Sequence, residues 1–468
     1  MKQTSIVAPL LVIGLGVLFL FRNLYPDLPL LQYLAAYWPY LLIGWGVLRL
    51  AELLFWAATS KPLPARGISA GEWMLVVFIC IFGASLHAVM GFSTWWPRSG
   101  FTTGGLDMLG ERFEYPIAAQ KSCSKTPRVV IEDFRGNAHI TGGDVDEVKV
   151  TGRETIRSLT EERANRANRD APFELTGDAG HVIVRTNQGG TMGYPRLEDD
   201  LEIMVPKGAS IEAHGRGGDF DLSNIGGGVR ITSENSSVQL QDIHGGARLD
   251  LRRSSMVHAA NIDGTLDLKG RGSDIDLESV TGPVNIEGTY TGVMMFRKLN
   301  GALHWTGPQT DLNVERIPGQ LRMVLGNVSG DNLVGPIHLS GRSRDVQLVG
   351  FTNSLVLSID RGDVDLLPGE LPVGRMDVHT HSGDVTLTLP AGAQFDLNAA
   401  TGSGEINNDF GDPLRLDRSH RGGALRGSIG SGPMVHVETD RGRVTVRKDS
   451  GDASRRKSEE APLHKIEQ

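Results

Sequence analysis

The sequence predicts an all-β parallel β-helix (a solenoid) joined to an N-terminal bundle of three transmembrane α-helices. Three observations predict it. An apolar pattern recurs about every 18 residues through the middle of the chain, three apolar runs fill the first 95 residues, and two of those runs are copies of each other. The 468-residue length exceeds one ordinary domain. The expected organisation is a transmembrane region over 1–95, a linker over 96–127, a solenoid over 128–446 and a disordered charged tail over 447–468.

The apolar runs are Ile6 to Phe21, a stretch within Leu30–Ala58, and Trp73 to Phe92. A bilayer-spanning helix takes about 20 apolar residues, so spans are expected near 5–22, 33–57 and 73–92. The rival for the first run is a cleaved signal peptide. Pro9–Leu20 and Pro39–Leu50 agree at eight of twelve positions, and a discarded leader has no reason to match a retained helix. The shared Gly-x-Gly steps let helix backbones approach in lipid. Six of the seven Trp lie in the first hundred residues, and Tyr37, Trp38, Tyr40, Trp73, Trp95 and Trp96 sit where interfacial aromatics belong. Lys2, Lys61 and Arg66 mark the cytoplasmic side, which places everything after Phe92 outside. Arg49 with Glu52, and His87, read as interfacial polar residues.

Residues 128–150 alternate as strands, and Thr155 to Arg169, rich in Arg, Glu and Ala, reads as an exposed helix inserted in the solenoid. The repeat then becomes regular. Its markers are Ile225, Ile243, Ile262, Val280, Leu299, Ile317, Leu333 and Phe351, spaced 18, 19, 18, 19, 18, 16 and 18 residues apart. Positions −5, −3, 0, +4 and +6 around each marker are apolar. Eight units of five make forty positions, and only Gly330 fails, where 40% of forty, about sixteen, would be filled by chance. Alternation of this kind is the period of a half-buried strand. Position +2 is Gly in seven units and Asn353 in the eighth, so a tight bend with positive φ is expected there. Such units bury their apolar face only by stacking, which gives a parallel solenoid rising about 4.8 Å per coil. A β-sandwich of regular hairpins is the alternative, but hairpins would not hold register over eight units. The segments Val205–Ala213 and Leu389–Leu397 share a strand, corner, strand pattern, and Val435–Val446 supplies closing strands.

A net charge of −8 argues against a nucleic-acid surface. Cys80 and Cys123 lie in dissimilar segments, so neither an internal disulfide nor a thiolate zinc site is expected. The pairs Asp219/Asp221, Asp274/Asp276 and Asp363/Asp365 each put two carboxylates on one strand face about 7 Å apart, a separation open to acid–base work. They read first as solvated strand faces. His379 and His381 face out together and, with Asp384, are the one candidate metal arrangement; two ligands and a guessed third do not make a site. No catalytic, cofactor-binding or metal residue is therefore assigned, and no cofactor is expected.

Two resemblances add to this reading. The Pro-x-Leu-x-Ile-Gly-x-Gly-Val-Leu segments, the second opening Tyr37-Trp-Pro39, resemble the transmembrane region of LiaF-like envelope-stress proteins. The coils, notably Val378–Pro390 and Ala400–Asn407, resemble an adhesin-like β-solenoid family of unknown function. Together these imply a non-enzymatic integral membrane protein of the bacterial inner or cytoplasmic membrane. Its solenoid would face the periplasm or exterior for binding or adhesion, with a link to envelope-stress sensing. The lipid bilayer, membrane sensor proteins and envelope glycans are the implied partners. The alternative is a membrane-anchored carbohydrate-active β-helix enzyme, a lyase or hydrolase; a third reading makes the solenoid a spacer.

Overall fold

A computed structural model describes residues 110–186, 196–324 and 326–449, with ten helical positions (Tyr40, Ile43, Gly44, Gly46, Val47, Leu50, Val76, Val77, Cys80 and Ile81) before them. The described chain is nearly all β, with twenty-eight strands. This corrects the expected N-terminal bundle. Among the described residues no helix is long and apolar enough to cross a membrane. The one helix with defined bounds, Glu161–Asp170, is ten residues long and carries Glu161, Glu162, Arg163, Arg166 and Arg169. It is about half the length a span requires and is charged through its middle. The run Ile6–Phe21, with Arg49, Glu52 and His87, falls outside the described residues.

Two compact units are distinguished. The first comprises Met1–Pro116, Arg153–Pro172 and Asn187–Glu198. Its described part holds that helix. Thr160 caps it, its Oγ1 accepting from the Arg163 backbone N–H at 3.4 Å, and Glu161 and Glu162 occupy the first turn, where negative charge is favoured. Ala164 and Ala167, one turn apart, are buried with Ile156 against Phe113 and Tyr115. The Tyr115 hydroxyl donates to Asn165 Oδ1 at 2.7 Å. The segment expected to be helical from Thr155 is strand as far as Ser158.

The second unit comprises Ile117–Gly152, Phe173–Thr186 and Asp199–Gln468. Every one of the forty template positions is buried, Gly330 included, and the eight markers are at most 1% exposed. Ile225 pairs with Ile243, Ile243 with Ile262, and Ile262 with Val280, all in parallel register. The coils stack like on like, so the core is a set of continuous apolar columns.

The expected positive φ at +2 is found at Gly264 (138°) and Asn353 (63°) and not at the other six glycines. In seven of the eight units a left-handed residue instead stands immediately before the marker: Asn224, Asp242, Asn261, Ser279, Lys298 and Asn332 have φ between 52° and 58°, and Gly350 has φ 69°. Asn and Asp tolerate that region best among residues with a Cβ. Their side chains also tie coil to coil, since Asn224 Nδ2 donates to Gly142 O at 2.7 Å and Asn261 Nδ2 to Asp242 Oδ1 at 2.9 Å. The +2 glycines answer to close approach instead. A Cβ on Gly245 would lie 2.3 Å from Gly227 C, one on Gly282 2.5 Å from Gly264 C, and one on Gly301 2.2 Å from Gly282 O. Each glycine leaves room for the corner of the coil beside it.

The stack departs from a simple solenoid in several places: Glu174–Gly177 and Gly423–Ile429 pair antiparallel with His181–Arg185 and Phe395–Ser403. Thr310–Val324 runs backwards. It pairs antiparallel with Met294–Leu299 and Leu303–Thr306 on one side, and with Asn327–Asp331 and Val334–Ser343 on the other. Reversal happens at Gly307-Pro308 and again between Val324 and Asn327, with Gly326 at φ 83°. From Asn327 the coils resume in parallel. At the ends, coils are used out of chain order. Arg128–Gly143 lies between Ser210–Ile225 and the strands His181–Arg185 and Arg196–Pro206. The last coil, Met434–Arg441 with Val444–Asp449, lies between Met376–Pro390 and Phe395–Asn408. The expected closing strands are therefore inserted, not terminal. The expected tail begins inside the last strand, and residues 450–468 lie outside the described residues.

Candidate binding site

The paired carboxylates are committed to the coils. Asp219 Oδ1 accepts the Ser237 N–H at 3.1 Å and Asp274 Oδ1 the Val293 N–H at 2.7 Å. Farther on, Asp345 accepts from Asp363 N (2.9 Å), Asp363 from Asp384 N (2.9 Å) and Asp384 from Arg443 N (2.8 Å). This is an aspartate ladder at the corners, each rung satisfying one backbone donor of the coil stacked on it. Asp221 and Asp276 form ion pairs on the strand faces: His139 Nδ1 lies 2.9 Å from Asp221 Oδ2, and Asp276 takes Arg297 Nη2 at 2.8 Å and His258 Nδ1 at 3.3 Å. Asp365 sits in the outward row between Gln347 and Thr386.

His379 and His381 face outward as expected but do not converge with Asp384. His379 Nδ1 is 3.8 Å from Glu438 Oε2, His381 Nδ1 is 2.7 Å from Asp440 Oδ2, and Asp384 is the ladder rung under Arg443. The inserted last coil supplies both acids, which pairs the two histidines apart. Trp305, the one Trp after residue 100, is 2% exposed and donates to Gly288 O at 3.4 Å, so it offers no stacking platform.

What the structure gathers instead is a basic groove of about 610 Å³ lined by Arg128, Ser210, Glu212, Arg230, Arg248, Thr265 and Asp267, with corner backbone from Gly228, Gly245 and Gly246. A second groove of about 250 Å³ continues along Arg230, Thr232, Arg248 and Asp250. Reading across the sheet, Glu212, Arg230, Arg248, Asp267, Asn285 and His304 are successive register partners. Arg230 and Arg248 are thus stacked at one strand spacing, about 4.8 Å between backbones, and both are exposed. The acids at either end of the pair are engaged. Glu212 accepts from Arg128, whose Nε lies at 3.1 Å, and from His214 at 3.2 Å. Asp267 accepts from Asn285 Nδ2 at 2.8 Å. The Arg128 hydrogen bond, outweighing burial, holds the Glu212 carboxyl below the usual range. Neither Arg230 nor Arg248 has an ion-pair partner among the described residues.

Sequence reasoning missed this groove. The signal was available: Val229-Arg-Ile231 and Ala247-Arg-Leu249 put arginine at the same template position, +5, in consecutive units. The repeat was read down its apolar columns and not down its polar ones.

Comparison with known proteins places this geometry. The family model described as Toastrack DUF4097 matches residues 128–452, 325 of the 468 residues. No curated protein matches the chain. Solved structures that match include a candidate cell-adhesion protein from Clostridium sporogenes (9% identity, 72% of this chain, 100% of that chain, TM-score 0.16). A candidate adhesin from Bacteroides fragilis matches at 9% identity over 72% of this chain and 97% of that one, with a TM-score of 0.17. A candidate adhesin from Parabacteroides distasonis matches at 11% identity over 73% and 98%, with a TM-score of 0.21. At these scores the likenesses carry no weight for function.

Proposed function

From the premise that the chain belongs to the Toastrack DUF4097 family, we propose that it is a non-enzymatic binding protein of the cell envelope whose β-solenoid presents rows of polar side chains to a ligand. The observation that carries this reading is the fate of the carboxylates. Asp219, Asp274, Asp363 and Asp384 each accept a backbone N–H from the neighbouring coil. A carboxylate tied to the frame in this way is a poor proton shuttle, since catalysis needs its oxygens free to reach substrate. The outward rows, by contrast, form long flat faces of the kind that suit extended ligands.

The experiment is a pair of measurements on the full chain. Retention of the chain on envelope fractions is expected, together with no cleavage of envelope glycans. Glycan cleavage that disappears in D219N, D276N and D365N variants would replace this reading with the enzymatic one. Placement in the envelope is tested separately: protease added to intact cells is expected to digest the solenoid.

A further inference from the structure

We infer that the groove over Arg230 and Arg248 is a site for a phosphate ester carried on a hydroxyl-rich group. The inference rests on the binding reading above and names its ligand class. Like charges directly opposite on adjacent strands are destabilising, and here neither guanidinium is within ion-pair distance of an acid among the described residues. Glu212 is held by Arg128 and His214, and Asp267 by Asn285. The stack therefore carries two guanidinium groups whose donors are open to the groove. Each guanidinium presents a planar fork that matches oxyanions two bonds at a time. The terminal oxygens of a phosphate group, each able to accept more than one hydrogen bond, can take forks from two coils at once. The space is larger than an inorganic anion needs. About 610 Å³ lies within the roughly 300–1,000 Å³ typical of small-molecule sites. Its rim offers the hydroxyls of Ser210 and Thr265, groups that exchange hydrogen bonds with ligand hydroxyls. A neutral glycan would leave the arginine pair unanswered, so the positive stack selects the phosphorylated form. A lipid headgroup such as phosphatidylglycerol and a soluble polyol phosphate share this chemistry.

The test uses the full chain with both sources. Glycerol 1-phosphate is titrated by calorimetry, with glycerol as the neutral control; phosphatidylglycerol vesicles are compared with phosphatidylcholine vesicles by flotation. Binding of glycerol 1-phosphate alone assigns a soluble ligand, and binding of the anionic vesicles assigns a lipid surface; either supports the site. The variant Arg230→Gln/Arg248→Gln is expected to bind about tenfold or more weakly, as for loss of charge-assisted phosphate contacts. The charge-matched control Arg322→Gln/Arg342→Gln should stay within about twofold. Arg248→Lys, which keeps the charge and removes the fork, should fall between them. Circular dichroism checks that each variant is folded. If the unmodified chain binds neither probe, or if the control loses as much as the groove variant, the inference is overturned. Retention on envelope fractions without phosphate-ester binding sinks this inference and leaves the binding reading intact; glycan cleavage sinks the reading itself.

Discussion

The coils from Ser210 to Thr306 and the strands from Thr310 to Asp449 share one apolar alphabet and are threaded differently. In the first region chain order is stacking order, and parallel partners follow one another at intervals of 18 or 19 residues. In the second, two strands, Thr310–Val324 and Gly423–Ile429, run backwards and the final coil is inserted between two earlier ones. The difference teaches that burial pattern and path are separate pieces of information. Side chains alternate along a strand whichever way it runs. The reversed strand Thr310–Val324 therefore fills the same columns from the other end: Leu312 lies on Trp305, Val314 on Leu303, Ile317 on Leu299, Leu321 on Phe296 and Met323 on Met294.

The comparison can be broken outright at the reversal. Antiparallel register puts His304 opposite Asn313, whereas a forward coil would put it opposite Arg322. Opposed backbones about 4.5–5.5 Å apart suit a disulfide. H304C/N313C in a cysteine-free background should crosslink nearly completely on oxidation and H304C/R322C not at all, read by mass spectrometry of digests; the opposite result would restore a uniform solenoid.

The next effect concerns the inserted coil. Truncation after Gly432 removes Val435, Val437, Val444 and Val446, all fully buried, and leaves two unpaired strand edges facing one slot. At about 2 kcal/mol for each buried valine the loss is about 8 kcal/mol, comparable to the whole stability of many domains. The cooperative thermal transition should disappear and aggregation follow. A melting curve within a few degrees of the full chain would show that this coil is an accessory.

Within the forward coils, Gly245→Ala and Gly228→Ala separate glycines at a close coil-to-coil approach from ordinary ones. The first would put a Cβ 2.3 Å from Gly227 C; the second meets nothing nearer than Gly245 O at 3.4 Å. Denaturant unfolding should show a loss of about 2–4 kcal/mol for the first and under about 1 kcal/mol for the second. Equal losses would mean that the glycines serve the turn and not the stack.

The smallest effect lies at the start of the forward stack. Because Glu212 is held below the usual carboxylate range in the folded chain, it contributes stability that is complete above its unfolded value near 4.3 and is lost as pH falls through the lower folded value. Arg128 is mostly exposed, so the contribution is at most about 1 kcal/mol. Glu212→Gln should flatten the acid limb of stability below about pH 4.3 by that amount; an unchanged slope in pH-dependent melting would dissociate the ion pair from folding.

Much of this was written in the residues. The eight markers, the forty buried positions and the pairing of Ile225 with Ile243 and of Ile243 with Ile262 follow from a period that only stacked coils can satisfy. The corner repeats at Pro206 and Pro390 were legible too, and both close with the same turn, Ala209 N to Pro206 O and Ala393 N to Pro390 O at 2.9 Å. Other features were present in the sequence but misread. The residue before seven of the eight markers, polar in six of them, carries a left-handed turn, and the spacing of 16 residues after Ile317 announces the return from the reversed strand. The Asp ladder was visible as Arg361-Gly-Asp363 and Ser382-Gly-Asp384, but its hydrogen bonds run between coils that sequence separation hides.

By itself, the sequence determined which side chains face inward and where the corners fall, because both are local consequences of alternation and backbone sterics. Only the tertiary structure decided the direction of Thr310–Val324, the slot taken by Met434–Asp449, and the union of Arg230 with Arg248 in one groove. Those depend on which strand edge a segment finds, and strand edges offer the same donors and acceptors to any suitable partner. The choice is therefore made by packing over the whole stack and not by any one stretch of residues.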